Sequence, residues 1–401
     1  MRFWSETSEL RDLYEPVANG RRLSEADALR LFASHELNTL GALARLATTR
    51  QVGNRASYLL NRYLNYSNYC ILGCQFCSFA RKKRDADGFE LSLAQMVDKA
   101  RESLEAGITE LHIVGGLHPA LPFDYYLEML RALKALDPRL QLKCFTAIEV
   151  RHFAWLADRP VRTVLEELRA AGLDALTGGG AEIFDPAVRD TIARGKETAA
   201  EWLDVHRTWH QMGGRSTGTM LYGHIESVAD RVDHLRRLRE LQDETGGFTG
   251  FVPLPYQPEN NGIPVSRPPT GYDTLRTIAV SRLYLDNIAH ITAYWVGLGL
   301  KLAQLALSYG ADDLHGTIHE EHIFHMAGAT SPQQQPEAAM IRAIREAGRV
   351  PVQRDTFYQP LGVLDDAVSV AAAVEHRAPE ETGPASSSRR SEVLERNLAT
   401  G

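Results

Sequence analysis

From about residue 56 to residue 330 the chain alternates between short apolar runs and longer amphipathic segments. The short runs have the length and the β-branched or aromatic content of strands, and the longer segments repeat their apolar residues with a helical period. We predict strands at residues 63–69, 110–114, 141–148, 173–176, 215–222, 248–253, 291–296 and 312–314. About eight strand–helix units in this length favour an α/β fold, a TIM-type (β/α)₈ barrel. The rival is a doubly wound open sheet, and the lack of GxGxxG after the first predicted strand weakens its dinucleotide-binding version.

The segments that flank the predicted barrel differ from it in character. Residues 1–55 show helical periodicity with serines at plausible N-cap positions, which predicts an N-terminal helical extension. The barrel itself would span residues 56–330, and residues 331–375 would form a C-terminal helix and an extension that packs on the barrel. Residues 376–401 are rich in Pro, Ser and charged residues, which predicts a disordered tail.

Composition and charge exclude several classes of protein. The chain is 44% hydrophobic and 24% charged, an ordinary globular balance. Its formal net charge is -7 and it has no basic tract, so we expect no nucleic-acid partner. The first residues lack an apolar signal-peptide core, and no run approaches the 18 apolar residues of a membrane span. We therefore expect a cytoplasmic protein without a membrane partner.

Three of the four cysteines fall in one short segment, Cys70-Ile-Leu-Gly-Cys74-Gln-Phe-Cys77. A disulfide framework uses an even, dispersed set, so this spacing indicates metal binding in a reducing compartment. Electron-transfer cubanes are held by four cysteines, and the remaining Cys144 lies in a predicted strand. Three ligands would leave one iron open to an exogenous chelator, which favours chemistry over electron carriage. A zinc site and a non-catalytic Fe-S or metal-binding protein are the alternatives, although zinc usually takes four tetrahedral ligands.

The CxxxCxxC spacing resembles that of the radical S-adenosylmethionine (SAM) superfamily. The resemblance implies that Cys70, Cys74 and Cys77 hold a [4Fe-4S] cluster and that SAM chelates its open iron. It also implies that reduction cleaves SAM to a 5′-deoxyadenosyl radical and that Phe76 lies near the adenine.

Other loops after predicted strands supply candidates for SAM contacts. Thr219-x-Leu221-x-Gly223-x-x-Glu226 resembles the superfamily's GxIxGxxE pattern, with Thr in place of the first Gly. The resemblance places the SAM amino group at a Gly-Gly turn after the second strand, although such a turn can also serve tight packing alone. Ordinary structural roles for a charged or histidine side chain stay open as well. The candidates for cofactor binding are Phe76, Gly115, Gly116, Glu149, Arg189, Leu221 and His224.

A narrower resemblance covers residues from about 20 to 358. The segments ELHIVGGLHP, GGGAEIF, MLYGHIE, LRELQDETGGF, TIAVSRLYLDN, YWVGLGLKLAQLALSYGADD, HMAGA and IREAGRVPVQRDTFY resemble those of the aminofutalosine synthase family. The cyclic dehypoxanthinyl futalosine synthases and the deazaflavin (F0) synthase subunits share similar segments and remain alternatives.

The narrower resemblance implies a reaction in which SAM is a cosubstrate. The 5′-deoxyadenosyl radical would add to the enol ether of 3-[(1-carboxyvinyl)oxy]benzoate, and rearrangement and decarboxylation would give 6-amino-6-deoxyfutalosine for menaquinone biosynthesis. An external donor of the flavodoxin or ferredoxin type would supply the electron. A dicarboxylate substrate calls for cations and hydrogen-bond donors at the barrel mouth. The candidates for catalytic or substrate contacts are His118, Arg282, Thr317 and Glu320, with Tyr256, Gln257 and Asn260 beside them.

Overall fold

A computed structural model of the chain describes residues 7–364. The predicted tail at 376–401 and residues 365–375 of the segment before it lie outside the described residues. The boundaries proposed above for the four segments stay predictions. Within the described residues no helix is both long enough and apolar enough to cross a membrane.

Parallel strands form the centre of the fold. Seven of them, β2 to β8, make one sheet in chain order, and β1 is separated from β2 by Leu60 alone. Strand β1 pairs in parallel with β9, and a bridge between Thr292 and Asp313 connects the end of β8 to β9. With β1 and β2 counted as one strand, the eight strands close into the predicted (β/α)₈ barrel. The strands are β1 Arg55–Leu59, β2 Asn61–Leu64, β3 Glu110–Ile113, β4 Gln141–Cys144, β5 Ala175–Leu176, β6 Arg215–Tyr222, β7 Phe248–Pro255, β8 His290–Ile291, β9 Asp313–Gly316, β10 Val350–Arg354 and β11 Pro360–Val363.

Amphipathic helices surround the barrel and follow its strands. Many begin at a capping box, in which a Ser or Thr hydroxyl accepts an N–H of the first turn and the side chain three residues on accepts the N-cap N–H. Ser92, Thr146, Thr198 and Ser227 all start helices in this way. The helices are α1 Tyr14–Ala18, α2 Glu25–Ala33, α3 Leu37–Val52, α4 Leu93–Glu105, α5 Phe123–Lys134, α6 Ala147–Ala157, α7 Val161–Ala171, α8 Pro186–Ile192, α9 Ala199–Gln211, α10 Val228–Thr245, α11 Gly271–Tyr284, α12 Trp295–Leu298, α13 Leu300–Ala306, α14 Ile323–Met326 and α15 Glu337–Glu346.

Three predicted strands differ from the structure by more than two residues in at least one of their limits. The first strand starts at Arg55 rather than at residue 63 and ends at Leu64, so the cysteine segment lies in a long loop beyond it. The predicted strand at 141–148 stops at Cys144, because Thr146 and Glu149 form the capping box of α6. The strand predicted at 291–296 is cut short where α12 begins.

The amino-terminal end of the barrel is closed by the segment that follows β10. Strand β10 runs parallel to β1, and residues 354–358, which we call the plug, cross beneath the barrel strands. The Arg354 guanidinium pairs with Asp313, with Nε 2.7 Å from Oδ1. The Tyr358 ring stacks on His290 at 4.0 Å between centroids, and its hydroxyl meets the backbone of β7 at Gly250. We therefore look for a functional site at the other end of the barrel, where the parallel strands terminate.

Candidate active site

A cavity enters the barrel at the carboxyl ends of the strands and extends down between them. Its lining combines apolar side chains such as Val114, Ile148 and Leu254 with backbone of the glycine loops after β3 and β5. The sequence candidates that line it are Cys70, Cys74, Phe76, Cys77, Gly115, Gly116, Glu149, Leu221, Tyr256 and Gln257. This is the end of a (β/α)₈ barrel at which active sites are built.

The loop that carries the three cysteines is held in place by contacts with several elements. The Lys82 ammonium donates to the carbonyls of Cys70, Ile71 and Leu72 at 2.8, 3.1 and 2.8 Å. The Ile71 N–H donates to the Leu117 carbonyl at 3.0 Å, which ties this loop to the loop after β3. The loop therefore has a defined path before any ligand binds.

The segment after β7 also contacts the cysteine loop. The Gly262 N–H donates to the Gln75 carbonyl at 2.8 Å. The Asn260 side-chain amide donates to the Met326 carbonyl at 3.0 Å. Asn260 itself does not line the cavity, so its contact is with the α14 segment rather than with a ligand.

The Gly115-Gly116 turn is required by packing against the strand that leads to the cysteines. A Cβ on Gly115 would lie 2.4 Å from the Tyr66 ring, and one on Gly116 would lie 2.3 Å from the Tyr69 carbonyl oxygen. The Gly116 N–H also donates to the Ser67 carbonyl at 2.9 Å. The two glycines line the cavity, yet their lack of a side chain is explained by this contact before any ligand is considered.

Glu149 holds the glycine turn rather than presenting a free carboxylate. Its Oε1 accepts the Gly115 N–H at 3.0 Å and the Tyr66 hydroxyl at 2.8 Å. Its Oε2 accepts the Thr146 N–H and hydroxyl, both at 2.7 Å. Burial raises the pKa of this carboxyl. With both oxygens occupied, its predicted role in cofactor binding is not supported by the geometry.

Arg189 likewise supports a loop and does not line the cavity. Its guanidinium donates to the carbonyls of Ala181, Ile183 and Glu197, of which the first two lie at 2.5 and 3.2 Å. Its predicted role in cofactor binding is therefore corrected, because its donors already fix the segment that follows the Gly178-Gly179-Gly180 loop.

Two regions of the chain match the models of known protein families. Residues 64–238 match the family model of the radical SAM superfamily, and residues 245–367 match that of the CofH/MqnC C-terminal region. The chain is 44% identical over 355 residues to the aminodeoxyfutalosine synthase of Thermus thermophilus, a match that covers 88% of this chain and 95% of that protein. The chain belongs to the radical SAM superfamily, in the family that includes aminodeoxyfutalosine synthases.

Further relatives lie in the same branch. The aminodeoxyfutalosine synthase of Streptomyces coelicolor is 42% identical over 362 residues, covering 88% of this chain and 94% of that protein. The cyclic dehypoxanthine futalosine synthase of the same organism is 38% identical over 366 residues, covering 90% of this chain and 91% of that protein. Among solved structures, methylornithine synthase (PylB) superposes with a TM-score of 0.68 at 19% identity, covering 85% of this chain and 97% of that chain, which supports the fold.

As a radical SAM enzyme the chain uses a [4Fe-4S] cluster and SAM, and its cysteine loop fits the cluster. The three thiols are free and all line the cavity. Within residues 7–364 no three His, Cys, Asp or Glu side chains converge as the ligands of one metal ion would. A cubane takes one thiolate at each of three separate iron corners, so this spread suits it better than tetrahedral zinc. Burial raises the pKa of Cys74 to about 12, so its thiolate form depends on bound metal.

Two charged side chains that the sequence analysis did not select lie next to the cysteines in this radical SAM site. The Lys196 ammonium is 2.5 Å from Glu182 Oε1 and 5.1 Å from the centroid of the Phe76 ring. Both Lys196 and Glu182 line the cavity. Lys196 follows a short helix instead of a strand, so a search of strand ends passes over it.

The residues of the motif after β6 have two different roles: some line the cavity and others support the turn. Leu221 lines the cavity, and its N–H donates to the Glu182 carbonyl at 3.0 Å. His224 does not line it, because Nε2 contacts the Leu221 carbonyl at 3.1 Å and Nδ1 accepts the Ile225 N–H at 2.8 Å. The prediction of a cofactor contact by His224 is therefore corrected to a role in the turn.

His118 is also a structural histidine in the radical SAM fold. Its Nδ1 accepts the backbone N–H groups of Ala120 and Leu121 at 3.0 and 2.9 Å. Its Nε2 lies 2.7 Å from Glu90 and therefore carries the proton. The ring does not line the cavity, so its predicted catalytic contact is not supported.

The other three candidates for catalytic contacts lie outside the cavity too. Arg282 is a buried residue of α11 and pairs with Asp312 while donating to the Gly310 carbonyl. Thr317 donates its hydroxyl to the Asn61 carbonyl at 3.3 Å. Glu320 pairs with Arg62 and Lys99, both at 2.6 Å. These residues stabilise the barrel wall, which corrects their predicted roles.

A layer of polar side chains lies at the bottom of the cavity, and the sequence analysis missed it. Tyr63, His112 and Lys143 are paired in register on β2, β3 and β4, so they stand side by side inside the barrel. The Tyr63 and His112 rings stack at 4.3 Å, and His315 of β9 meets both rings edge-on. The signal was a lysine or histidine in the middle of a buried strand, where such residues are rare.

Proposed function

We propose that this radical SAM enzyme adds the 5′-deoxyadenosyl group of SAM to 3-[(1-carboxyvinyl)oxy]benzoate, with release of methionine, rearrangement and loss of the enolpyruvyl carboxylate, to give 6-amino-6-deoxyfutalosine. The observation that carries the proposal is that three free cysteines open onto a cavity whose lining is mostly apolar and which lies inside a closed barrel. The similarity to two aminodeoxyfutalosine synthases over 88% of the chain supports the choice of substrate.

In this proposal Cys70, Cys74 and Cys77 hold the [4Fe-4S] cluster, and SAM lies between Phe76 and the glycine loops. When bound, the reduced cluster supplies the electron that cleaves SAM. Lys196 and Glu182 are placed to contact the charged methionine part of SAM, because they line the cavity beside the cysteines.

The chain's own contribution is to hold the alkene and to exclude water. Val114, Ile148, Val252, Leu254 and Phe324 give the cavity an apolar wall, in which a carbon radical has few groups to react with. Positioning two reactants in such a pocket lowers the entropic part of the barrier.

The electron donor we propose is a small acidic carrier of the flavodoxin or ferredoxin type. Lys82, Lys83 and Arg84 are exposed directly after the cysteine loop, and Ile71 of the loop is 50% exposed. A positive patch beside the cluster favours encounter with a negative partner. We place the reaction in the cytoplasm, since a reducing compartment keeps the three cysteines free for the cluster.

The test is product analysis with anaerobically reconstituted enzyme, SAM, reductant and 3-[(1-carboxyvinyl)oxy]benzoate. The expected product is an adenosylated benzoate, formed with methionine and without stoichiometric free 5′-deoxyadenosine. Free 5′-deoxyadenosine as the sole nucleoside would contradict the proposal and favour a cyclic dehypoxanthine futalosine synthase. If SAM did not change the electron paramagnetic resonance signal of the reduced cluster, a non-catalytic metal protein would be favoured instead.

A further inference from the structure

The floor of the cavity presents a buried cation without a partner. The Lys143 side chain is 5% exposed and faces the cavity from β4. Within the described residues its ammonium has no hydrogen bond and no carboxylate at ion-pair distance. Burying a charge in this way is costly unless a counter-ion is present for part of the working cycle. Burial accordingly lowers the pKa of Lys143.

The nearest acid is already committed to other groups. Glu110 lies on β3, two residues before His112. It accepts hydrogen bonds from the Asn61 amide at 3.0 Å and from the Thr356 hydroxyl at 2.8 Å. It acts on Lys143 only through the longer-range field. The other carboxylates that line the cavity are occupied as well. Glu149 accepts four hydrogen bonds and Glu182 pairs with Lys196, while Glu321 accepts the Phe324 N–H at 3.0 Å.

Two imidazoles beside Lys143 also have unused hydrogen-bonding capacity. His112 makes no hydrogen bond through either ring nitrogen in the described part of the chain, although its ring stacks on Tyr63. His315 has an unpartnered Nδ1, and its Nε2 is 3.4 Å from the Tyr63 hydroxyl. His315 adopts a left-handed backbone conformation at φ 67°, with its N–H donated to Asp313. A strained backbone conformation persists when the surrounding structure holds it in place, and such positions are common at functional sites.

These groups form a site of defined chemistry. An ammonium and two imidazoles that converge on one end of an apolar cavity match a planar carboxylate, which accepts two or more charge-assisted or neutral hydrogen bonds. The Tyr63 and Tyr294 hydroxyls add donors at the same level, since both residues line the cavity with His315.

We propose that Lys143, with His112 and His315, binds the ring carboxylate of the aromatic substrate at the floor of the cavity. This inference rests on the proposed function. The alkene must lie near the cysteine loop at the mouth, and the enolpyruvyl carboxylate is attached to the alkene itself. The ring carboxylate is at the far end of the molecule, and it is the one that the reaction leaves in place. The floor site therefore selects a meta-carboxylated ring and sets the depth at which the alkene stops.

The experiment measures binding and needs no turnover. The ligands are 3-[(1-carboxyvinyl)oxy]benzoate and its analogue with a ring carboxamide, titrated by calorimetry into anaerobic holoenzyme without SAM or reductant. The proteins are wild type, Lys143→Met and the matched control Lys301→Met, in which an exposed lysine is removed. Wild type and Lys301→Met are expected to prefer the carboxylate by about 100-fold. Lys143→Met should bind the carboxylate at least about 30-fold more weakly and the carboxamide nearly unchanged.

The outcomes separate this inference from the function on which it rests. A Lys143→Met enzyme that keeps the preference, or that weakens both ligands equally, overturns the floor site. Wild type that neither binds the carboxylate nor forms an adenosylated product overturns the proposed function, and the floor site with it. If Lys143→Met does not fold or load iron, His112→Gln carries the same test. Its carboxylate affinity should fall by roughly 10-fold with the carboxamide unaffected.

Discussion

Glu149 connects three parts of the site through one carboxylate. Its two oxygens accept hydrogen bonds from the start of α6 at Thr146, from the Gly115 turn and from Tyr66 ahead of the cysteines. A buried carboxylate with four donors has no spare lone pair for a ligand, and it cannot be replaced by an amide without setting an N–H against a donor. The residue is a positioning group for the loops that surround the cluster.

Replacing Glu149 with Gln should therefore cost about 2–3 kcal/mol of unfolding free energy, because at least one buried donor loses its acceptor. Glu201 offers a matched control, since it forms the same capping box with Thr198 at α9 but its side chain is 38% exposed and pairs with Arg151. Glu201→Gln should cost less than about 1 kcal/mol. Urea unfolding of both variants, with iron content after reconstitution, makes the comparison. Equal losses for the two would show that Glu149 acts only as a helix cap.

At this scale the sequence predicts chemistry better than it predicts contacts. The spacing of Cys70, Cys74 and Cys77 identifies the site because three ligands at those intervals have few other uses. Arg282 and Arg189 were chosen as cations near strand ends, yet both are consumed by carbonyls or by Asp312, a fact that only the fold reveals. Lys143 was overlooked because it lies inside a strand, although a lysine there is itself a signal.

Among the elements, the cysteine loop receives three of its hydrogen bonds from one side chain that follows it. Lys82 donates to three consecutive carbonyls of the loop. The neighbouring Lys83 lies 5.8 Å from the centroid of the Tyr69 ring and makes no hydrogen bond within the described residues. The two lysines thus share charge and exposure but differ in what they hold.

Lys82→Met should make the loop more mobile and speed the release of iron, while the global stability changes by less than about 1 kcal/mol because the freed carbonyls reach water. Lys83→Met should release iron at the wild-type rate. The measurement is the rate at which a chelator removes iron from the oxidised, anaerobic enzyme. Identical rates for Lys82→Met and wild type would mean that the cluster alone orders the loop.

The plug closes the barrel through a buried ion pair. Arg354 and Asp313 are both almost fully buried, and the Arg354 guanidinium, together with hydrogen bonds, lowers the pKa of Asp313 despite burial. Strand-length patterns predict the barrel strands well, because each buries one apolar face against helices. They do not predict the plug, whose position depends on pairing between residues that are 41 positions apart.

Arg354→Met should destabilise the protein by about 3–5 kcal/mol, since it leaves the Asp313 carboxylate buried without a partner. Arg22→Met is the comparison, because its pairs with Asp243 and Asp286 are exposed and should contribute less than about 1 kcal/mol. Thermal or urea unfolding of the two variants measures the difference. Adding Asp313→Asn to Arg354→Met should restore part of the loss, and a further loss would argue against an ion-pair effect.

For the whole molecule, buried histidines set the response to acid. Burial lowers the pKa of eight of them, to about 3 in His210, His234 and His315. An unfolded histidine binds a proton near pH 6.5, so these residues favour the unfolded chain as the pH falls below that value. Glu149 and Glu197 oppose them, since burial raises the pKa of both carboxyls, to about 7 in Glu197, and their protonation favours the folded state. The other five of the eight are His112, His118, His152, His206 and His224.

Eight imidazoles outweigh the two carboxyls, so the free energy of unfolding should fall by several kcal/mol between pH 6.5 and pH 5. His325, whose pKa is raised by a hydrogen bond to Glu321, reduces the effect but does not reverse it. Urea midpoints of the cluster-free protein at pH 7, 6 and 5 measure the trend. His206→Gln should flatten it and the exposed His35→Gln should not. A midpoint that rises toward pH 5 would contradict this balance.

The plug has a consequence for the order of events in catalysis. Because residues 354–358 occupy the amino-terminal end of the barrel, a molecule that reaches the floor must pass the cysteine loop first. Within the described residues the cavity enters at the carboxyl ends of the strands, so two reactants held at different depths are not expected to load independently. On the proposed function, the aromatic acid at the floor is expected to bind before SAM, and its adenosylated product is expected to leave after the methionine that SAM releases. The fold therefore favours ordered binding, in which SAM, the source of the radical, also blocks the exit of the other reactant.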